Sequence, residues 1–224
     1  MDISQIRKWV SRGEDDRLEF KQKANHPEKI VREMVAFANT SGGHLLVGVS
    51  DDKKIIGLKY VEDALYQIER AAQRYCHPPL GFSAEVVTTP DNRKLLVYTI
   101  PKSDRRPHFV EVSPADRKAY FRVGESSIQA SPELCTILRR TTEAENIAFS
   151  YGDVEHKLMQ LIESDRMVTV QSFARKTGIS KRDASEVLII MVLANVLQIH
   201  PSVSGDKFSI KQLSPVRTAS IYRN

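Results

Sequence analysis

Glu14, Glu19, Lys21 and Asp51 are the residues whose types and spacing could do chemistry. Carboxylates carried by a bend, a strand and a strand-end turn could converge on one hard cation. Mg²⁺ or Mn²⁺ takes such oxygen ligands and keeps several of its waters. A cation so held could activate water and offset charge at a scissile phosphate. Lys21, two residues after Glu19 on the same strand face, could stabilise that charge. The same residues have an ordinary reading. Glu-x-Lys recurs by chance where 27% of residues are charged, and Asp51-Asp52 suits a plain turn. Carboxylates on a strand edge also block unwanted pairing.

A second group is basic. The chain of 224 residues carries a net charge of +5. Residues 147–224 hold ten Lys/Arg against seven Asp/Glu, so the shorter C-terminal part has the higher positive density. Arg166, Arg175, Lys176, Lys181 and Arg182 fall in one stretch without an acidic residue, a pattern that fits a phosphate-backbone footprint or a solvated helix face. Lys102, Arg105, Arg106 and His108, with Arg117, Lys118 and Arg122, form a candidate second phosphate-contacting surface. Tyr120 and Phe121 beside Arg122 read as core before they read as base-stacking platforms. Asn39-Thr40-Ser41-Gly42-Gly43 is either a helix terminus whose glycines supply positive φ or a polar loop that meets phosphate.

Other chemistries find no support. There is no G-x4-G-K-[ST] phosphate loop, no G-x-S-x-G elbow, and no paired histidine spacing for a metal. Cys76 and Cys135 cannot make a disulfide framework and fit a reducing cytosol. No apolar run reaches the ~18 residues that spanning a bilayer needs. The start lacks the basic end and apolar run of a secretory signal, so a cytoplasmic location is expected.

The elements that must position these residues follow from periodicity. A short amphipathic helix is expected over 3–11, then a bend at 13–16 and a half-buried strand over 17–21, with Leu18 and Phe20 inward and Glu19 and Lys21 on the opposite face. Pro27 opens a helix that Gly42-Gly43 stops, and 44–49 reads as a buried strand with a partner at 55–58. A helix over 61–75, a hairpin of 82–88 with 95–100, strands at 108–112 and 119–123, a Ser-rich turn and a helix over 132–148 complete an α+β domain with a mixed, hairpin-rich sheet. From residue 153 the pattern changes to three helices, with Thr169 and Ser180 as N-caps, followed by a hairpin of 197–200 with 207–211. That layout is the one of a winged helix-turn-helix. The domains are therefore 1–148 and 153–213, with a flexible tail over 214–224.

The run Glu14-x4-Glu19-Phe20-Lys21, then Val35 to Gly43, then Leu46-Val47-Gly48-Val49-Ser50-Asp51-Asp52, and later Tyr120-Phe121-Arg122-Val123-Gly124-Glu125-Ser126-Ser127, resembles the Schlafen AlbA-like domain over roughly residues 10–130. The resemblance implies nucleic-acid binding, and relatives of this kind often carry a C-terminal winged helix. In animal Schlafen proteins similar domains act as divalent-metal-dependent RNases using two glutamates and an aspartate. Carried over, these fall on Glu14, Glu19 and Asp51, with Asp52 open because the loop can slip by one. The family motif settles no role for Lys21.

In the C-terminal domain Ser180, Lys181, Arg182 and Ser185 open the expected recognition helix, while Gln171 and Lys207 could touch phosphates. The leading expectation is a DNA-binding transcriptional regulator, with DNA favoured over RNA and a homodimer pairing two half-sites. The alternative is a Mg²⁺- or Mn²⁺-dependent ribonuclease or nuclease using Glu14, Glu19, Asp51 and Lys21. A third class, a module for protein contacts alone, would bind without the steep salt dependence of phosphate contacts.

Overall fold

Strand β1 (Leu18–Lys21) alternates its side chains across a sheet, and that alternation sets the layers around the carboxylates. The computed structural model of the chain describes residues 1–113, 115–142 and 150–212. Contacts divide it into two units, the first built chiefly from residues up to 142 and the second from residues 150 onward.

In the first unit, helix α1 (Ile3–Arg12) is capped by Asp2 and closed by Gly13, whose φ of 96° admits no Cβ comfortably. Strand β1 then pairs in parallel with β2 (Gly43–Val47) through helix α2 (Pro27–Asn39), with Pro27 in its first turn as expected. Helix α3 (Val61–Tyr75) and the short strand β3 (Cys76–His77) lead to the hairpin β4 (Ser83–Thr88) and β5 (Lys94–Ile100). The main sheet has the order β1-β2-β5-β4, antiparallel except at β1/β2.

The period of two divides this sheet cleanly. Leu18, Phe20, Leu46, Leu95 and Val97 face Ile6 and Val10 of α1. Leu45, Val47, Leu96, Tyr98 and Ile100 face Met34 and Phe37 of α2 and Ile68 of α3. Helix α2 is buried nearly all round, because its Val31 and Val35 also pack against Ala71, Ala72 and Val110. Outside it lie the sheet β3-β6-β7, with β6 (Phe109–Ser113) and β7 (Asp116–Lys118), and the hairpin β8 (Tyr120–Val123) and β9 (Ser126–Gln129). Helix α4 (Pro132–Thr142) follows.

Two expectations are corrected here. Residues 55–58 form no strand; a single bridge joins Val49 to Ile55. Gly48, at φ 110°, turns the chain out of β2, and the Gly48 carbonyl instead accepts from the amides of Ile56 and Gly57. Ser126 and Ser127 are not a turn but begin β9, because Gly124 takes the positive φ of 58° that a tight hairpin needs. The expected strand at 119–123 is β8, and a short strand that the sequence pattern did not signal, β7, precedes it. The end of the expected helix, at 143–148, lies outside the described residues.

The second unit contains α5 (Asp153–Asp165), α6 (Val170–Thr177), α7 (Lys181–Leu193) and the hairpin β10 (Leu197–His200) with β11 (Lys207–Ile210). The Thr169 hydroxyl accepts from the Ser172 amide at 3.1 Å, and the Ser180 hydroxyl accepts from the Asp183 amide at 3.1 Å. Gly178 sits in the left-handed region at φ 76° and separates α6 from α7. Leu158, Ile162, Phe173, Leu188, Leu197 and Phe208 are its buried centre. α7 ends at Leu193, and the expected tail at 214–224 lies outside the described residues. No helix among the described residues is long and apolar enough to cross a membrane.

Candidate functional site

Because Leu18 and Phe20 face α1, Glu19 and Lys21 must face the other way, toward α2. That face is roofed by β8, so Glu19 is buried. One carboxylate oxygen, Oε2, accepts from Arg122 at 2.8 Å, and the other, Oε1, accepts from Lys21. Arg122 is 0% exposed at its side chain. Its guanidinium also reaches Glu33 Oε2 at 3.3 Å and donates to the Asp15 carbonyl at 2.7 Å, and it lies 4.9 Å from the centre of the Phe37 ring. Glu33, buried on α2, takes Arg32 at 2.9 Å and the Ser127 hydroxyl as further donors. Two buried carboxylates thus share one buried guanidinium, with Lys21 and Arg32 at the rim.

Arg122 was expected on a phosphate-contacting surface. It is instead the cation at the centre of this cluster, closed off by β8 and α2, and cannot meet a phosphate there. Glu33 is the member that sequence reasoning missed. Its signal was a charge inside Ile30-Val31-Arg32-Glu33-Met34-Val35-Ala36-Phe37-Ala38, a stretch too apolar for a one-sided helix.

Glu14 stands in the bend after α1, and its Oε1 accepts from the Phe20 amide at 2.7 Å. Burial pushes its carboxyl above the ordinary range; the Phe20 amide pulls it back, and the charge of Glu19 adds to the rise. Glu14 and Asp51 line one cavity of about 180 Å³, together with Arg12, Lys53 and Glu125. Asp52 is held elsewhere, accepting from the Ser50 hydroxyl and pairing with Lys54 at 2.5 Å. Asp51, not Asp52, is therefore the one that lines the same cavity as Glu14. Among the described residues no three His, Cys, Asp or Glu side chains form a group able to hold a metal ion. In this arrangement Glu19 is withheld from a divalent cation, since both of its oxygens are engaged by Arg122 and Lys21.

The 39–43 motif is engaged in structure. Asn39, 0% exposed, accepts from the His108 amide at 2.8 Å and donates to the His108 and Tyr120 carbonyls at 2.9 Å each. The Thr40 hydroxyl accepts from the Arg122 amide at 2.9 Å and donates to the Ala36 carbonyl at 2.8 Å. At Gly42, φ 73°, a Cβ would stand 2.7 Å from the Ile100 carbonyl oxygen, so the close approach of backbones requires glycine.

In the basic loop, Lys102 and Arg105 are exposed and Arg106 is half-buried, with its Nε buried and without a hydrogen-bond partner among the described residues. Burial lowers the pKa of that guanidinium. Arg117 lies 4.3 Å from the centre of the Phe109 ring, and Lys118 pairs with Asp116 at 2.5 Å. His108 is buried. Its Nδ1 is 2.8 Å from the Pro78 carbonyl, which can only accept, so Nδ1 carries the proton and Nε2 accepts from the Ser103 hydroxyl at 2.6 Å.

Burial first, and then Arg105, hold the His108 pKa below the ordinary imidazole value despite the Pro78 hydrogen bond. A depressed folded pKa gives stability that is present above the unfolded value of about 6.5 and lost as pH falls through the folded one. The urea midpoint of the first unit is thus expected to drop on acidification below about pH 6.5. Replacing His108 with Gln is expected to flatten that limb. Parallel pH profiles for the two proteins would show that His108 does not carry the effect.

On the second unit, Gln171, Ser180, Lys181, Arg182 and Lys207 are exposed, and Ser185 is half-buried on α7. Lys176 pairs with Asp165 at 2.5 Å, which withdraws it from the basic stretch, and Arg175 is exposed. Lys181 and Arg182 stand in the first turn of α7 beside the Ser180 cap.

No curated protein matches the chain. Among solved structures, the N-terminal domain of an ATP-dependent DNA helicase RecG-related protein from Nitrosomonas europaea is similar at 18% identity and a TM-score of 0.44, over 67% of this chain and 99% of that one. The DIP2311 protein from Corynebacterium diphtheriae is similar at 16% identity and a TM-score of 0.45, over 93% of this chain; the match spans only 38% of that protein. The family model for Schlafen, AlbA_2 matches residues 14–131. That span contains the bend, β1, the 39–43 terminus of α2, Asp51 and the β8/β9 hairpin, and covers more than half of the chain. The chain belongs to the Schlafen, AlbA_2 family.

Proposed function

We propose that this protein binds nucleic acid and acts as a DNA-binding transcriptional regulator, its second unit working as a winged helix-turn-helix. The observation that carries the reading is the first turn of α7, where Lys181 and Arg182 are exposed beside a capped N-terminus that follows α6 after one left-handed glycine. A helix so presented can enter a major groove with its N-terminal residues on base edges. Gln171 and Lys207, exposed on α6 and on β11, would contact the phosphates. The Schlafen AlbA_2 unit adds Lys102 and Arg105 as further phosphate contacts, and a homodimer would place two copies on half-sites about 10 bp apart. The family supports the nucleic-acid reading, and the RecG-related neighbour is named for a DNA helicase.

One observation favours a second reading. Glu14 and Asp51 share a cavity, so metal-dependent cutting of RNA or DNA stands as the competitor. The two are separated by one assay. The full chain is incubated with labelled duplex DNA and with structured RNA, each in Mn²⁺ and in EDTA, beside Lys181→Ala/Arg182→Ala and Glu14→Gln/Asp51→Asn. Glu19 is left untouched because its loss would strand Arg122.

The regulator reading expects an intact, shifted DNA band that is indifferent to EDTA and to Glu14→Gln/Asp51→Asn. Lys181→Ala/Arg182→Ala should weaken duplex binding at least tenfold and reduce the salt slope by about 2. Metal-dependent cleavage that the carboxylate variant lacks would replace the regulator with a nuclease. Salt-independent binding, or none, would sink both.

A further inference from the structure

A hollow of about 530 Å³ opens on the first unit between the loop after β1, the segment Ile56–Tyr60 and the first turns of α3. A second hollow of about 500 Å³ flanks the same segment on the side of Asn92–Lys94. Both volumes lie within the range of small-ligand sites. Neither includes the Glu19–Arg122 cluster or any residue of α7.

The first hollow is lined by an unusual set: Lys23, Asn25, Lys59, Tyr60, Asp63 and Gln67. Tyr60 is 62% exposed, which leaves a large ring in water at the edge of a hollow whose floor includes Ile56 and Leu58. Lys59 Nζ lies over one face of that ring, 5.0 Å from its centre, and the opposite face is the one a base can take. An aromatic face beside an ammonium is what a stacked base next to its phosphate requires, because stacking accepts any base and the cation meets the backbone. The amides of Gln22, Asn25 and Gln67 and the carboxylate of Asp63 supply donors and acceptors for a base edge or a sugar hydroxyl. Lys23 and Lys59 against Asp63 leave the hollow net positive.

The platform is also held still. The amides of Ile56 and Gly57 donate to the Gly48 carbonyl at 2.8 and 2.9 Å, and the Leu58 amide donates to the Lys94 carbonyl at 2.7 Å. Gly57, at φ 81°, presses so close to β5 that a Cβ would come within 2.9 Å of Arg93 Cβ. The segment that fails to become a strand is thereby fixed against β2 and β5, and Tyr60 extends from its end. Binding there need not order a loop first. In the neighbouring hollow Arg93 is engaged by Asp91 at 2.8 Å and Lys94 by Glu62 at 3.4 Å, so Lys23 and Lys59 are the cations offered to a ligand.

We propose that this hollow binds one unstacked nucleotide of a single-stranded nucleic acid, its base lying on Tyr60 and its flanking phosphates meeting Lys23 and Lys59. The inference rests on the nucleic-acid reading above, but it concerns a different surface and a different form of the polymer from duplex reading by α7. The protein would then hold a strand on one unit and a duplex on the other.

The test uses the full chain and two eight-residue probes, oligo-U and oligo-dT, each with a central 2-aminopurine whose fluorescence falls when it stacks. Duplex DNA serves as the third probe. Wild-type protein is expected to bind a single strand with quenching. Tyr60→Ala should bind it about 5- to 100-fold more weakly and lose the quench, Tyr60→Phe should retain both, and Lys23→Ala/Lys59→Ala should weaken binding and its salt dependence. Duplex affinity should be unchanged in all of these and reduced in Lys181→Ala/Arg182→Ala. A preference for oligo-U or for oligo-dT identifies the strand as RNA or DNA.

Full affinity and full quenching in Tyr60→Ala would overturn the proposal. So would duplex binding with no single-strand binding, a result that leaves the regulator reading standing. Failure to bind any of the three probes would remove both.

Discussion

Arg122→Met is expected to destabilise the first unit by about 3–5 kcal/mol, the range for removing one partner of a buried ion pair. The side chain removed is fully buried, and it leaves Glu19 and Glu33 facing each other without their shared cation. It also strips the Asp15 carbonyl of its donor. Lys21 and Arg32 remain, but both are partly exposed and each reaches only one carboxylate. Arg122→Lys should fare little better, because an ammonium cannot span Glu19, Glu33 and the Asp15 carbonyl as a planar fork does. Adding Glu19→Gln and Glu33→Gln to Arg122→Met should recover part of the loss, since it removes the stranded charges. Urea unfolding followed by Trp9, the single tryptophan, which stacks on His44 at 4.4 Å within this unit, reads the effect directly. A wild-type midpoint for Arg122→Met would mean that the cluster contributes nothing to folding.

Asn39→Ala is expected to cost about 3–5 kcal/mol by a different route. One small side chain satisfies the His108 amide and two carbonyls, all far from it in sequence. Each buried polar group left without a partner costs roughly 1–3 kcal/mol, and the substitution leaves three. Asn39→Asp should be as damaging, because it keeps the acceptor for the His108 amide but turns an anion toward the two carbonyls. Hydrogen exchange gives the local readout: the His108 amide should be protected in the wild type and lose that protection in both variants, together with a lower urea midpoint. A loss below about 0.5 kcal/mol, the scale of a surface change, would contradict the role assigned to Asn39.

Much of this was legible in the sequence wherever a local rule acts alone. Period two in Leu18-Glu19-Phe20-Lys21 assigned the faces of β1, Pro27 opened α2, and Thr169 and Ser180 marked helix starts that the structure caps as expected. The α+β class followed from the same patterns. What failed depended on partners distant in sequence. Residues 55–58 have strand composition, yet β2 already has β1 on one side and β5 on the other, so no edge remained for them.

Arg122 looked like a surface cation because nothing nearby in sequence reveals that Glu19 and Glu33 will be buried under its strand. The burial of Asn39 is equally silent, since a polar residue before Thr-Ser-Gly-Gly reads as an ordinary helix end. The carboxylates were legible as a set by type and spacing. Their division was not: Glu19 faces Arg122, while Glu14 and Asp51 line a separate cavity.

The two buried polar centres set an order of events for the growing chain. Glu19 lies 103 residues before the arginine it pairs with, Glu33 lies 89 before it, and Asn39 lies 81 before the Tyr120 carbonyl it holds. Helix α2 therefore leaves the ribosome with Glu33 lacking Arg122 and Asn39 lacking the His108 and Tyr120 groups, and no amount of local helix formation supplies them. Closure of the unit must wait until β8 has been synthesised, well after the sheet strands it covers. Contacts this distant in sequence slow folding and prolong the exposure of unpaired groups. Fragments that stop before Arg122 should therefore be held open by Glu19, Glu33 and Asn39, whatever the quality of their apolar core.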